Sequence, residues 1–178
     1  MRVKNSDVKI ELKREKKMGI EIERKFLVKD ISFLKGLKGV WIKQGYLHIG
    51  ENSVARVRII GNTEAFLTVK GKTGDISRLE FEYRIPLEDG VKMLDSICLK
   101  PLIEKVRYKV DYGNHVWEID VFKGENEGLI VAEIELERED EYFEKPDWLG
   151  KEVSDDERYY NYSLVGNPYS VWKEKKEM

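Results

Sequence analysis

From residue 19 onward, the sequence alternates apolar and charged side chains with a period of two, which limits the possible folds more than any other feature. Successive side chains on a β-strand point to opposite faces of the sheet, so the pattern predicts strands. Eight segments follow it, near residues 19–28, 40–48, 53–60, 64–71, 77–85, 102–111, 115–123 and 129–138. Short turn sequences rich in Gly and Asn separate several of them and favour antiparallel neighbours.

Helical patterns are fewer and shorter. We predict helices near residues 30–36, 87–98, 139–145 and 155–164, with Asp155 as the N-cap of the last one. The predicted class is therefore α+β, dominated by an antiparallel sheet with a few flanking helices. Eight strands are enough to close a β-barrel.

The charged face of the predicted strands has two interpretations. In an ordinary antiparallel sheet the charged face lies in water. Alternatively, the charged faces close into an internal tunnel, which is unfavourable unless a polyanion and metal ions compensate the buried charges. The alternation by itself leaves both interpretations open.

Acids and bases are sorted by strand, as the second interpretation requires. Basic pairs stand at Arg56/Arg58 and Lys105/Arg107, and acidic pairs at Glu21/Glu23, Glu118/Asp120 and Glu133/Glu135. Carboxylates two positions apart on a strand suit a hard cation such as Mg²⁺ or Mn²⁺. Arg and Lys at the same spacing suit phosphate oxygens.

Composition limits the class of protein. Charged residues make up 37% of the 178 residues, against about 25% in a typical domain, yet the net charge is only −2. The apolar content of 41% suits one folded domain. No run of about 18 apolar residues occurs, and the lone Cys98 cannot form an intrachain disulfide. We expect a cytoplasmic protein that does not bind membranes.

The first 17 residues differ from the rest, because seven bases and three acids give them a charge of +4 and leave −6 for the remainder. We expect residues 1–17 to be a basic N-terminal extension, and residues 18–178 to form a single domain. The extension is either a partly disordered arm or a stretch upstream of a native start at Met18, and we favour the latter. The acidic remainder argues against nucleic-acid binding.

The first predicted strand contains the pattern Glu-x-Glu-x-Lys at Glu21, Glu23 and Lys25. Other stretches that carry a family likeness include Gln44-Gly45-Tyr46-Leu47, Arg56-Val57-Arg58, Thr68-Val69-Lys70-Gly71, Arg78-Leu79-Glu80-Phe81-Glu82, Glu118-Ile119-Asp120 and Glu133-Ile134-Glu135. On these residues the sequence resembles the CYTH, or triphosphate tunnel metalloenzyme, superfamily. It is most similar to the small single-domain bacterial inorganic triphosphatases.

The resemblance implies an eight-stranded antiparallel barrel around a charged triphosphate tunnel. The implied ligands of Mg²⁺ or Mn²⁺ are Glu21, Glu23, Asp120, Glu133 and Glu135. The implied phosphate-binding residues are Lys25, Arg56, Arg58, Lys70, Lys105 and Arg107, with Arg158 from the C-terminal part. The implied catalytic group comprises Tyr46, Lys25, Glu80 and Glu82. In this group the two acids orient the bases, and Tyr46 is either a proton acceptor or a tunnel-wall aromatic that anchors water.

The implied reaction is metal-dependent hydrolysis of tripolyphosphate to pyrophosphate and phosphate. The alternatives are a nucleoside or thiamine triphosphatase, a class IV-type adenylyl cyclase, and a noncatalytic polyphosphate-binding module. Such a module has no need of metal ligands, so the four glutamates at 21, 23, 133 and 135 favour an enzyme. The expected partner is tripolyphosphate or another triphosphate-bearing small molecule, with a homodimer as an open alternative.

Overall fold

The computed structural model describes residues 20–71 and 77–173, so the predicted basic extension 1–17 lies outside the described residues. The strands are β1 (Ile20–Val28), β2 (Val40–Ile49), β3 (Ser53–Ile60), β4 (Glu64–Gly71), β5 (Ser77–Ile85), β6 (Ile103–Tyr112), β7 (His115–Phe122), β8 (Ile130–Glu135) and β9 (Leu149–Glu152). The α-helices are α1 (Leu87–Ser96), α2 (Ser163–Gly166) and α3 (Tyr169–Trp172). Three short 3₁₀ turns cover Ser32–Leu34, Gly124–Asn126 and Glu157–Tyr159.

Strands β1 to β8 form a closed antiparallel barrel in the order β5-β4-β3-β2-β6-β7-β8-β1. Strand β1 closes the ring because its first part pairs with β5 and its second part pairs with β8. The predicted eight-stranded antiparallel barrel is therefore confirmed. The short strand β9, which the alternation did not predict, pairs with β1 around Phe26 and Val28.

Helix α1 packs on the outside of the barrel, across β2, β3 and β4. It begins directly after Pro86, whose fixed φ suits the start of a helix, and it has Glu88 and Asp89 in its first turn. Its Leu94 and the following Cys98 are buried against Val57 and other apolar residues of the barrel wall. Cys98 is thus a small buried side chain in an apolar contact.

Three helix predictions were wrong. Residues 139–145 form a turn followed by irregular chain, in which the Glu141 carboxylate accepts a hydrogen bond from the Glu137 backbone N–H at 2.6 Å. This path also brings Phe143 against Phe26 and Trp117. Residues 155–164 contain one 3₁₀ turn before α2 begins at Ser163. The capping carboxylate of that turn is Asp156 rather than Asp155. The helix predicted at 30–36 is also reduced to a single 3₁₀ turn.

An apolar cluster fills one end of the barrel interior. Val54, Ile103, Phe122 and Val131 each lie two positions along the strand from a charged residue, so they share its inward face. They pack against Leu164 and other residues of the C-terminal segment. Charged side chains line the rest of the interior. Among the described residues, no helix has the length and apolar character needed to cross a membrane.

Candidate active site

The inward faces of the barrel strands bring seven acidic and seven basic side chains together. The acids are Glu21, Glu23, Glu80, Glu82, Glu118, Asp120 and Glu133, and the bases are Lys25, Arg56, Arg58, Lys70, Arg78, Lys105 and Arg107. Every barrel strand except β2 contributes to this set. We call these fourteen residues the interior charge cluster.

Burial decides between the two interpretations of the alternation. Lys105 and Asp120 are 1% and 0% exposed, whereas Leu79, Phe81 and Tyr83 on the opposite face of β5 are about half exposed. A sheet with its charged face in water shows the reverse arrangement. The charged faces therefore line the interior of the closed barrel.

The first two acids of the Glu-x-Glu-x-Lys pattern meet bases from β4 and β5. Glu21 accepts hydrogen bonds from Lys70 Nζ at 2.7 Å and from Arg78 Nε at 3.2 Å. Burial disfavours the charged form of Glu21, but Lys70 and Arg78 outweigh it and hold its pKa well below the usual value. For Glu23, burial and the nearby Glu133 carboxylate raise the pKa. These carboxylates are close enough to repel one another.

Glu133 lies between two cations at the centre of the cluster. Lys25 Nζ donates to Glu133 Oε1, and Arg107 Nη2 donates to Glu133 Oε2 at 2.9 Å. Burial opposes ionisation, but Lys25 and Arg107 lower the pKa of Glu133 well below its usual value. Burial likewise disfavours the charged form of Lys25, but Glu133 and Glu23 raise its pKa. Glu133, Lys25 and Arg107 are therefore charged near neutral pH.

Asp120 is fully buried and holds two bases from β6. Arg107 donates to both of its oxygens, through Nε and Nη2, at 2.6 Å each. Lys105 Nζ donates to Asp120 and, at 3.3 Å, to the side-chain oxygen of Asn161. Burial lowers the pKa of Lys105 to about 8 against the opposing effect of Asp120.

A second group of ion pairs lies on β3, β4 and β5. Glu82 accepts hydrogen bonds from Arg58 Nη2 at 2.9 Å and from the Thr68 hydroxyl at 2.8 Å, and it lies 3.6 Å from Arg56 Nη2. Burial raises the pKa of Glu80 to about 7, even though Lys70 Nζ lies 3.3 Å from its carboxylate. Glu80 is thus suited to donate a proton in a hydrogen bond to a neighbouring carboxylate.

Tyr46 lies on the inward face of β2, in the apolar cluster that fills one end of the interior, and is 3% exposed. Burial raises the pKa of its phenol and outweighs the opposing effect of Arg56 and Lys25. A raised pKa keeps the phenol protonated near neutral pH, which favours it as a hydrogen-bond donor over a proton acceptor.

Two residues singled out from the sequence lie away from the centre. Glu135 is exposed at the end of β8. Arg158 is exposed and donates to the Asp156 carboxylate at 2.6 Å, with its guanidinium 5.1 Å from the Trp172 ring centroid. The structure therefore does not place Arg158 with the interior charge cluster.

Three polar residues of the barrel interior are not among the site residues predicted from the sequence. Arg78 bridges Glu21 and Glu23 across the closing pair of strands. Thr68 links Arg56 to Glu82, and Asn161 reaches Lys105 from the C-terminal segment. Arg78 alternates with Glu80 and Glu82 in the sequence, which is the signal that could have identified it. Thr68 likewise lies two positions from Lys70, whereas Asn161 carries no such signal.

The acids of the cluster fit a hard divalent cation by chemistry. Glu21, Glu23 and Glu133 offer carboxylate oxygens, and the repulsion seen at Glu23 is what a bound cation relieves. In residues 20–71 and 77–173, no three acidic, His or Cys side chains are already gathered as a metal site. Since the cluster carboxylates contact bases, binding a cation requires an exchange of partners.

Comparisons with known proteins agree with this geometry. Residues 19–163 match the sequence model of the CYTH domain. The chain belongs to the CYTH family. The closed barrel with a charged interior is consistent with the triphosphate tunnel fold.

Two relatives of this CYTH protein are named inorganic triphosphatases. The one from Acetivibrio thermocellus is 49% identical over 88% of this chain and 100% of its own length. The one from Nitrosomonas europaea is 40% identical over 82% of this chain and 96% of its own length. The crystal structure of an inorganic triphosphatase is 34% identical, with a TM-score of 0.59 over 82% of this chain and 93% of that one.

Proposed function

We propose that this CYTH protein hydrolyses inorganic tripolyphosphate to pyrophosphate and phosphate inside the barrel, with a divalent metal ion. The observation that carries the proposal is the closed interior in which seven carboxyl groups face seven cationic groups. Its acidic and basic groups are equal in number, so a metal and a polyanion can enter together without leaving a large net charge. The relative that is 49% identical across its whole length, an inorganic triphosphatase, supports this substrate.

The acidic side of the cluster is the proposed metal site. Its ligands are Glu21, Glu23, Asp120 and Glu133, with Glu135 at the rim. CYTH triphosphatases are metal-dependent in general, and we propose Mg²⁺ or Mn²⁺ because all these ligands are hard oxygens. When bound, such an ion supplies charge neutralisation at phosphate oxygens and activation of water.

The basic side of the cluster binds the phosphates. Lys25, Arg56, Arg58, Lys70, Lys105 and Arg107 donate hydrogen bonds to phosphate oxygens and stabilise the charge that develops during transfer. Glu80 and Glu82 position Lys70 and Arg58, which they contact without ligand. Tyr46 stays protonated and donates to an oxygen of the substrate or of water. Most of the rate enhancement therefore comes from positioning and electrostatics.

The test is an assay of the purified chain with tripolyphosphate, ATP and thiamine triphosphate, each with Mg²⁺, Mn²⁺ or chelator. We expect phosphate and pyrophosphate from tripolyphosphate, with metal required. Pyrophosphate together with cyclic AMP from ATP would instead show a cyclase. Tight binding of tripolyphosphate without turnover would show a noncatalytic module. The cytoplasmic location and the single domain over residues 18–178 stay predictions.

A further inference from the structure

Strand β2 contributes a neutral amide to the barrel interior where the other barrel strands contribute charges. The neighbouring Gly45 faces outward, since a Cβ built there would meet Leu102 and Cys98 beneath α1 at 2.7 and 2.8 Å. Side chains alternate along a strand, so Gln44 faces inward with Tyr46. Gln44 is 0% exposed.

The amide of Gln44 has no hydrogen-bond partner among the described residues, either for Nε2 or for Oε1. Buried amides are normally paired, because an unpaired one loses its hydrogen bonds to water and gains nothing in return. A methionine of the same length would fill this position without that loss. An unpaired buried amide therefore indicates a ligand that supplies the missing partner.

The surroundings of Gln44 indicate which ligand this is. Gln44 pairs directly with Arg58 on β3, and Arg56 lies two positions further along the same inward face. The Nε groups of both arginines are also buried and unpartnered. Gln44 Nε2 and the two arginine Nε groups are thus unused N–H donors on adjacent strands. Phosphate oxygens only accept hydrogen bonds and suit such a set of donors.

We propose that Gln44 is a substrate-binding residue whose Nε2 donates a hydrogen bond to a phosphoryl oxygen of tripolyphosphate held by Arg56 and Arg58. A neutral amide adds a donor without adding charge to a balanced interior. Oε1 can accept from one of the arginine Nε–H groups and so hold the amide in this orientation. The proposal rests on the proposed function for the identity of its ligand.

The test compares Gln44→Met with Asn126→Leu. Asn126 is the matched control because it is another buried amide, 1% exposed, but its Oδ1 accepts from the Tyr169 backbone N–H at 2.8 Å. Without ligand, we expect Gln44→Met to keep or raise the Tm and Asn126→Leu to lower it. With tripolyphosphate and Mg²⁺, we expect Gln44→Met to reduce kcat/KM about tenfold or more, mainly through KM, since one charge-assisted hydrogen bond is lost.

Gln44→Glu is the second variant. Its carboxylate would pair with Arg56 or Arg58 and repel phosphate, so we expect an unchanged or higher Tm and a larger rise in KM than for Gln44→Met. Wild-type kinetics in Gln44→Met, or a loss of Tm like that of Asn126→Leu without a change in KM, would overturn the proposal.

The two proposals fail in different ways. If the wild-type chain binds tripolyphosphate without hydrolysing it, the proposed hydrolysis is refuted. Calorimetric titration of the chain with tripolyphosphate in the presence of Mg²⁺ then tests Gln44. The expected result is the same tenfold loss of affinity in Gln44→Met. If the wild-type chain neither binds nor hydrolyses tripolyphosphate, both proposals are overturned.

Discussion

Replacing Glu133 by Gln tests the metal site with the smallest change of shape. Glu133 is 6% exposed and accepts from Lys25 Nζ and from Arg107 Nη2. The Gln oxygen can still accept from one of these cations, but its NH₂ group would face the other as a second donor. The variant therefore keeps the volume of the side chain and removes one negative charge from the centre of the cluster.

The magnitude follows from these two contacts. The contact that the Gln oxygen keeps is weakened by about 1 kcal/mol, and the contact in which the NH₂ group faces the other cation is lost, which costs about 1.5–3 kcal/mol. Relief of the repulsion between Glu133 and Glu23 offsets part of this loss. A net cost of about 2–3 kcal/mol in the free energy of unfolding corresponds to a Tm lower by about 4–12 °C. The protein thus stays folded at 25 °C.

Turnover responds far more strongly than stability. Loss of a proposed metal ligand should lower the release of phosphate from tripolyphosphate by about a hundredfold or more, at every Mg²⁺ concentration. The matched control is Glu104→Gln on the same barrel, because Glu104 is about a third exposed and lies 3.8 Å from the exposed Lys43. We expect wild-type turnover in that control. Wild-type kcat of Glu133→Gln at saturating Mg²⁺ would refute the assignment of Glu133 as a ligand.

Three further predictions concern the metal, a buried carboxyl group and a tight packing contact. Excess chelator should abolish turnover and Mg²⁺ or Mn²⁺ should restore it; turnover that persists in chelator would contradict the metal site. The pKa of Glu80 in the folded state, about 7, exceeds its ordinary value of 4.5. The free energy of unfolding of the wild type should therefore decrease as the pH rises from 4.5 to 7. Glu80→Gln should raise the metal-free Tm more at pH 8 than at pH 4, and an equal effect at both would count against the shift. Gly90→Ala should lower the free energy of unfolding by about 1–3 kcal/mol, because a Cβ there would meet Ala65 Cβ at 2.7 Å. The control Gly166→Ala should not lower it, because a Cβ there would meet nothing within 4 Å. Equal Tm values for the two variants would show that α1 shifts freely.

Much of the barrel could be predicted from the sequence because the strand period is local. Strands β3, β4 and β5 begin and end where the alternation does. The strand β9 could not be predicted in this way, since it has only four residues, Leu149–Glu152, and pairs with the distant β1. The acidic stretch at 139–145 failed as a helix because Phe143 packs into an aromatic cluster with Phe26 and Trp117. Tertiary packing overrides local propensity there.

The alternation determined by itself which side chains share a face of the sheet. It did not determine which face is inside, because the side-chain period is two whether the sheet curls with its charged face or its apolar face inward. Closure of the barrel through β1 and β5 decided that question, and it brings Glu21 and Arg78 together although they are 57 positions apart. The pairing of acids with bases, the raised pKa of Glu80 and the unpaired amide of Gln44 all depend on that closure, because each arises from burial among residues of other strands.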